Sequence, residues 1–349
     1  MTTYRVSLIP GDGIGPEVID AAWPVIAKAA ATDSVAFETT RLPHSADHYL
    51  ATGETLPEPV FELLRDGSDA IMIGALGDPR VPGNQHARDI LLGLRFRLDL
   101  YINFRPVKLW HQRLTPLAGS SNIDFVIFRE NTEGQYTGRG RSEAVGSPDE
   151  THISEEVNTR AGVDRILTAA CEWAEDHGRH RVTMSDKANA IPFQRIWGDR
   201  FAIIGARFPG LEREHRYVDA LAMELVRDPG RFEVIVTNNL YGDILSDLGA
   251  GLVGGLGMAA SANLHPGRPG LFEPVHGSAP PLRGKDVANP MAAVLTGALM
   301  LQNLGHPGPA GALERAVAAV VADGPTTVDI GGTAGTTDVA RALEQAVTL

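Results

Sequence analysis

Val6-Ser7-Leu8-Ile9-Pro10-Gly11-Asp12-Gly13-Ile14-Gly15-Pro16-Glu17 runs from an apolar β-rich tetrad into a glycine turn and then a helix start. A strand, a glycine turn and a helix invite the dinucleotide-binding fingerprint, but this stretch departs from it at the end. Pro16 stands where that fingerprint takes Gly or Ala so that helix and strand pack closely. Glu17, in the first helical turn, repels a pyrophosphate lodged there. Glu38, at the end of a possible second strand, merely mimics the acid that holds a ribose. The stretch reads as the opening of a non-Rossmann α/β fold, with a turn that either touches flat parts of a ligand or is structural.

The pattern of an apolar run ending in polar or glycine-rich residues recurs along the chain. Asp69–Ile73 leads into Gly74–Asp78, Asp124–Phe128 into Arg129-Glu130-Asn131, Arg181–Met184 into Ser185-Asp186-Lys187, and Val234–Thr237 into Asn238-Asn239. Open α/β sheets bind ligands at the carboxyl ends of their strands, so five such endings point to a shared cleft. Pro16 suits the first position of a helix through Val25, and Asn289-Pro290 reads as an N-cap with proline next. Arg139 to Pro148 reads as a loop or projecting arm, and His265 to Gly270 as a loop.

At 349 residues, 43% hydrophobic and 21% charged, the chain is long enough for two domains and ordinary in balance. A net charge of −12 argues against nucleic acid or an anionic membrane as partner. A single cysteine, Cys171, forms no internal disulfide and suits a reducing compartment. No apolar run approaches the roughly 18 residues of a membrane span, and the start lacks a signal pattern, so the expectation is a soluble, cytoplasmic protein.

Asp243 and Asp247 stand four apart on the first turns of an apolar helix, where like charges cost about 0.2–0.5 kcal/mol. A solvated helix N-terminus explains such a pair, and so does a hard divalent cation. With no basic residue between Tyr241 and His265, the metal reading is favoured, and Asp219 offers a third carboxylate. Arg95, Arg97, Arg105 and Arg129 are forks suited to a di- or tricarboxylate, Arg97 being the first to set aside as a surface residue. Lys187 and Tyr136 are proton-transfer candidates, since a cationic cleft disfavours an ammonium. Glu273 to Pro280 followed by Asn289-Pro290 is a polar loop before an apolar helix.

Taken in order, GDGIGPE, LRFRLDLYINFRP, FRENTEGQY, SDKAN, TNNLYGDILSDLGAGLVGGLG, LFEPVHGSAP and GGTAGTT resemble the β-decarboxylating dehydrogenases of isopropylmalate, isocitrate, homoisocitrate and tartrate/D-malate. The resemblance covers nearly the whole chain. It implies an isopropylmalate dehydrogenase-like two-domain fold that binds NAD without a Rossmann fingerprint. Residues 1–100 and 255–349 form the cofactor domain, and 101–254 the dimerising, substrate- and metal-binding domain with an arm. By resemblance, Arg95, Arg105 and Arg129 clamp a small di- or tricarboxylate, with Leu91, Leu92 and Asn189 also at the substrate. Asp219, Asp243 and Asp247 hold Mg²⁺ or Mn²⁺, Lys187 and Tyr136 move protons, and Lys187 and Asp219 come from the second chain of a homodimer. Ile14, Glu273, His276, Gly277, Ser278, Ala279 and Asn289 match cofactor positions.

Two departures bear on specificity. Pro281 stands where NAD-specific relatives carry an Asp for the adenosine ribose, and Pro281-Leu282 does not match the Lys-Tyr pair of NADP-dependent isocitrate enzymes, with Arg283 nearby. NAD is favoured, with NADP open. Ala87 stands eight residues before Arg95, where leucine-biosynthetic enzymes carry Glu, while Leu91 and Leu92 keep an apolar patch and Arg88 adds a cation. The expected substrate is 3-isopropylmalate or a close 3-substituted malate, with homoisocitrate, isocitrate and tartrate/D-malate as alternatives. A non-catalytic regulatory homologue is disfavoured, because Tyr136, Lys187, Asp219, Asp243 and Asp247 are all present.

Overall fold

The five apolar runs all become strands, and helices intervene as an α/β chain requires. The structure, a computed structural model, describes residues 2–119 and 122–348. Its strands are β1 (Thr2–Gly11), β2 (Val35–Arg41), β3 (Ala70–Ala75), β4 (Ile102–Lys108), β5 (Asp124–Glu130), β6 (Gly140–Glu143), β7 (Thr151–Ser154), β8 (Arg181–Asp186), β9 (Glu212–Tyr217), β10 (Val234–Thr237), β11 (Ala260–Leu264) and β12 (Gly270–Pro274). Its helices are α1 (Gly15–Ala31), α2 (Ala46–Thr52), α3 (Glu58–Asp66), α4 (Gln85–Arg97), α5 (Arg160–Asp176), α6 (Arg195–Gly205), α7 (Val218–Arg227), α8 (Asn239–Leu252), α9 (Met291–Asn303), α10 (Pro307–Asp323) and α11 (Thr336–Ala346). No helix of the described residues is long and apolar enough to cross a membrane.

The chain divides into two compact units. The first comprises Met1–Leu100, Lys108–Gly119 and Ala250–Leu349, and the second Tyr101–Val107 and Ser120–Gly249. In the first, the strand order is β2-β1-β3-β12-β11, parallel except for the antiparallel β11–β12 pair. The chain leaves β1 for β2 on one side and returns to β3 on the other, so the glycine turn after β1 stands where strand order reverses. Ile9, Ile71, Ile73, Phe61, Leu94 and Leu271 belong to the buried cluster beneath it. Helix α9 is buried almost all round, which explains a sequence with no polar stripe.

In the second unit the order is β4-β5-β10-β8-β9, with β5, β10, β8 and β9 mutually parallel. β5, β8 and β10 are buried on both faces, and their largely apolar runs follow from that, whereas the edge strand β9, EREHRY, is polar and mostly exposed. β6 and β7 pair antiparallel, Gly140 opposite Ser154, as a separate two-stranded ribbon.

Three local expectations need correction. Helix α1 continues past Val25 to Ala31 despite Pro24, because Val18, Ala22, Val25, Ile26 and Ala29 keep one face buried. Helix α9 starts at Met291, one residue later than proposed; Pro290 occupies the cap position, yet the Asn289 carboxamide still accepts the Met291 N–H at 3.0 Å. Of the loop and projecting-arm readings of Arg139–Pro148, only the plain loop is set aside, since the segment contains β6. With both faces exposed, that strand has no alternating apolar signal to reveal it.

Candidate active site

Helix α8 begins directly after β10 and presents Asp243 and Asp247 on one face. Their repulsion is relieved from distant parts of the sequence. The Arg105 guanidinium, from β4, lies 3.6 Å from each carboxylate. Arg129, at the end of β5, ion-pairs with Asp243 and donates to Asn239 Oδ1 at 2.7 and 2.9 Å. The absence of a base near the pair in sequence therefore does not by itself require a metal. Gly242 makes this approach possible: a Cβ there would stand 2.5 Å from Arg129 Cγ.

Tyr136, in a short 3₁₀ turn after β5, donates its hydroxyl to Asp243 Oδ2 at 2.8 Å. Burial first, then the Asp243 hydrogen bond and charge, hold its phenol above the usual range. Burial also raises the Asp247 carboxyl; Arg105 opposes the rise and Asp243 adds to it. Arg105 is aimed by Asn103 Oδ1 at 2.7 Å and Ser246 Oγ at 2.9 Å. The second unit thus gathers Arg105, Arg129, Tyr136, Asp243 and Asp247.

Lys187 and Asp219 form a different pair, Nζ to Oδ1 at 2.7 Å, and this contact lowers the Asp219 carboxyl. Asp219 does not join Asp243 and Asp247: among the described residues, no three His, Cys, Asp or Glu gather as a metal-holding group. Asn189 lies exposed in the turn after Lys187.

In the first unit, Gly13 adopts φ +56, and a Cβ there would overlap the Ser278 carbonyl oxygen at 1.9 Å. The Ile14 N–H donates to that oxygen at 2.8 Å, so the turn packs against the 276–279 loop. Asp12 is consumed internally, accepting from Ala46 N, Gly77 N and the His86 imidazole. Gly277 has open space on its Cβ side, and Ala279 has φ +39. His276 Nε2 is buried with no partner among the described residues, and burial lowers its imidazole. Asn289 donates to Asp329 Oδ2 at 3.0 Å.

Arg95 of α4 is buried against Glu273, NH2 to Oε1 at 2.7 Å, and its Nε meets no acceptor among the described residues. Leu91 packs on the core cluster, Leu92 is half-buried and Arg88 is exposed. Arg97, as expected, is a surface residue that pairs with Glu58 over the Phe61 ring. Sequence reading missed the aiming residues Asn103 and Ser246 and the acceptor role of Asn239. Only their neighbourhood in the LDLYINFRP and NNLYGDILSD blocks hinted at them.

Comparison with known proteins follows the same lines. The isocitrate/isopropylmalate dehydrogenase family pattern matches residues 5–343. A 3-isopropylmalate dehydrogenase of Thermobifida fusca is 41% identical over 350 residues, covering 99% of this chain and 98% of that protein. Another, of Frankia casuarinae, is 44% identical over 322 residues, covering 91% and 93%. An isocitrate dehydrogenase structure from Methylococcus capsulatus superposes with TM-score 0.89 at 37% identity over 99% of both chains. A β-decarboxylating dehydrogenase from Thermococcus kodakarensis gives TM-score 0.81 at 36% identity, over 99% of this chain and 96% of that one. The chain belongs to the isocitrate/isopropylmalate dehydrogenase family and is a β-decarboxylating hydroxyacid dehydrogenase.

Proposed function

We propose that the protein carries out NAD- and divalent-metal-dependent oxidative decarboxylation of a (2R)-hydroxy diacid with a C3 carboxylate, 3-isopropylmalate first. The convergence of Arg105, Arg129 and Tyr136 on Asp243, beside Asp247, carries this reading. Arg105 and Arg129 bind substrate carboxylates through their forks. Arg95, with its unpartnered buried Nε, is assigned the third clamp role.

Asp243 and Asp247 offer hard oxygen donors on one helical face, and Asp247, 55% exposed, is open to a cation. Mg²⁺ or Mn²⁺ fits this donor set, with Asp219 supplied by a second copy of the chain. When bound, the cation supplies Lewis-acid polarisation of the substrate oxygens. NAD fits beside Ile14, Glu273, Ser278 and Ala279, where the unpartnered His276 Nε2 and open Gly277 remain, with Asn289 nearby in sequence; it supplies the hydride acceptor. Lys187, also from the second copy, takes the C2 hydroxyl proton as the hydride departs. After CO₂ leaves, Tyr136, kept protonated by burial and Asp243, delivers a proton to the carbon.

In this reading the terminal segments form the cofactor domain, and residues 101–254 form the substrate, metal and dimerisation domain. Exposed Phe193, Ile203, Met223, Val226 and Ile244 support a homodimer, which we place in the cytoplasm. Ala87 with exposed Arg88 on α4 favours isocitrate or homoisocitrate as the second reading. A screen of NAD and NADP reduction over isopropylmalate, isocitrate, homoisocitrate, D-malate and tartrate, with Mg²⁺ or Mn²⁺, tests both points. NAD reduction with isopropylmalate is the expected result. Turnover confined to a tricarboxylate moves the substrate, and no turnover with any of the five overturns the reading.

A further inference from the structure

Lys187 is held by more than its ion pair. Its N–H donates to Gln194 Oε1 at 2.7 Å, while its carbonyl accepts from Ala190 and Ile191 at 2.9 and 2.8 Å. Gln194 is 1% exposed, and its amide nitrogen donates to Glu156 Oε2 at 2.8 Å and to the Tyr241 hydroxyl at 3.2 Å. One acceptor bond and two donor bonds use the carboxamide on both sides, which leaves a single sensible orientation. Glu156 accepts from Asn158 at 2.9 Å and from Asn238 at 3.0 Å through its other oxygen. Asn238 Oδ1 in turn receives the Tyr241 N–H at 2.9 Å, and Asn158 Oδ1 receives the Trp197 indole N–H at 2.9 Å. The network closes around the start of α8, where Tyr241 stands two residues before Asp243.

We infer that Gln194, backed by Glu156, is the positioning residue for Lys187. Through Asn238 and Tyr241 it ties the lysine main chain to the start of its own chain's α8, so that the amine is presented in one place, to the site of the second copy, rather than sampling the turn. The inference rests on the proton-transfer role proposed for Lys187. A buried amide suits the task because it donates to a carboxylate and accepts from a backbone N–H without adding charge. The titratable groups that bear on the Tyr241 hydroxyl it holds are Glu156, Lys187 and Asp186.

The test uses the full-length protein with isopropylmalate, NAD and Mg²⁺, and three variants. Gln194→Met removes all three bonds and is expected to lower kcat about 10- to 100-fold, with KM for the diacid changed less than about 3-fold. Gln194→Glu is more diagnostic. Protonated, the new carboxyl donates to Glu156 much as the amide does; ionised, it opposes Glu156 and sheds that bond. Its kcat should approach the parent near pH 6 and fall towards the Gln194→Met value by pH 8.5, while Tm stays above the assay temperature at both. Hydrogen-exchange protection at the Lys187 amide, corrected for the intrinsic rise of exchange with pH, should fall over the same range as repulsion from Glu156 draws the new carboxylate off its place, a readout that needs no turnover and survives a poorly folding Gln194→Met.

A parent-like pH profile and parent-like exchange in Gln194→Glu overturn the inference. Lys187→Met separates the two levels. If it is inactive while the Gln194 variants match the parent, positioning fails and the functional reading stands; if it retains full turnover, both fail.

Discussion

The first turn of α8 and the glycine turn after β1 look alike in sequence and serve differently. Each follows a parallel strand, and each sets an Asp beside a Gly: Gly242-Asp243 in one, Gly11-Asp12-Gly13 in the other. In α8 the glycine admits the stem of Arg129, and the acids stay accessible, with Asp247 55% exposed. After β1 the glycine admits a backbone carbonyl, and Asp12, 5% exposed, is spent on two backbone N–H groups and His86. An acid beside a glycine is reactive machinery or scaffold according to what covers it. Burial with every oxygen bonded makes Asp12 scaffold, while partial exposure, with side-chain cations rather than backbone N–H groups as partners, leaves Asp243 and Asp247 open to ligand.

That contrast is broken or sharpened by substitution. Asp243→Asn should abolish turnover while leaving Tm within a few degrees of the parent; full activity in the folded variant removes the metal assignment. Asp12→Ala should do the reverse. Leaving His86 and two buried N–H groups without an acceptor costs about 3 kcal/mol, read as a lower denaturant midpoint, while activity per folded molecule is retained. Loss of activity without loss of stability in Asp12→Ala would erase the distinction between the two turns.

A smaller effect comes from acid. Burial, with His48 adding to it, lowers the His44 imidazole, and burial lowers His276. Below about pH 6.5 the unfolded chain binds protons that these folded residues refuse. The stability they contribute is therefore present above that pH and lost as the pH falls towards their folded values. Tm should drop between pH 7.5 and 5, and His44→Gln should flatten the drop; an unchanged slope in that variant removes His44 from the account. Least of all is Arg97→Ala. This exposed arginine pairs with Glu58 over Phe61, and its loss should cost no more than about 1 kcal/mol with kcat/KM unchanged. A large loss of kcat/KM would put Arg97 among the clamp residues.

Strand runs with polar endings were legible because a strand buried on both faces must be continuously apolar, as Val234–Thr237 and Asp69–Ile73 illustrate. The ribbon of β6 and β7 was not, since it buries nothing and so carries no pattern. Pro16 ruled out the Rossmann fingerprint from sequence alone. What the GDG turn does instead emerged only when Ser278, far along the chain, was seen against Gly13.

The carboxylate pair on α8, the arginines, Tyr136 and Lys187 could be named from the sequence, because residue type, spacing and ordered motifs specify which chemistry is available. Their electrostatic partners could not. Arg105 and Arg129 reach Asp243 from β4 and β5, Gln194 reaches Lys187 across a turn, and His86 reaches Asp12 from α4. A hydrogen bond or ion pair acts over a few ångströms of space whatever the distance along the chain. Sequence alone therefore determined the chemical inventory and the α/β class, and tertiary structure decided which charges are neutralised, which acids are scaffold, and what holds the lysine in place.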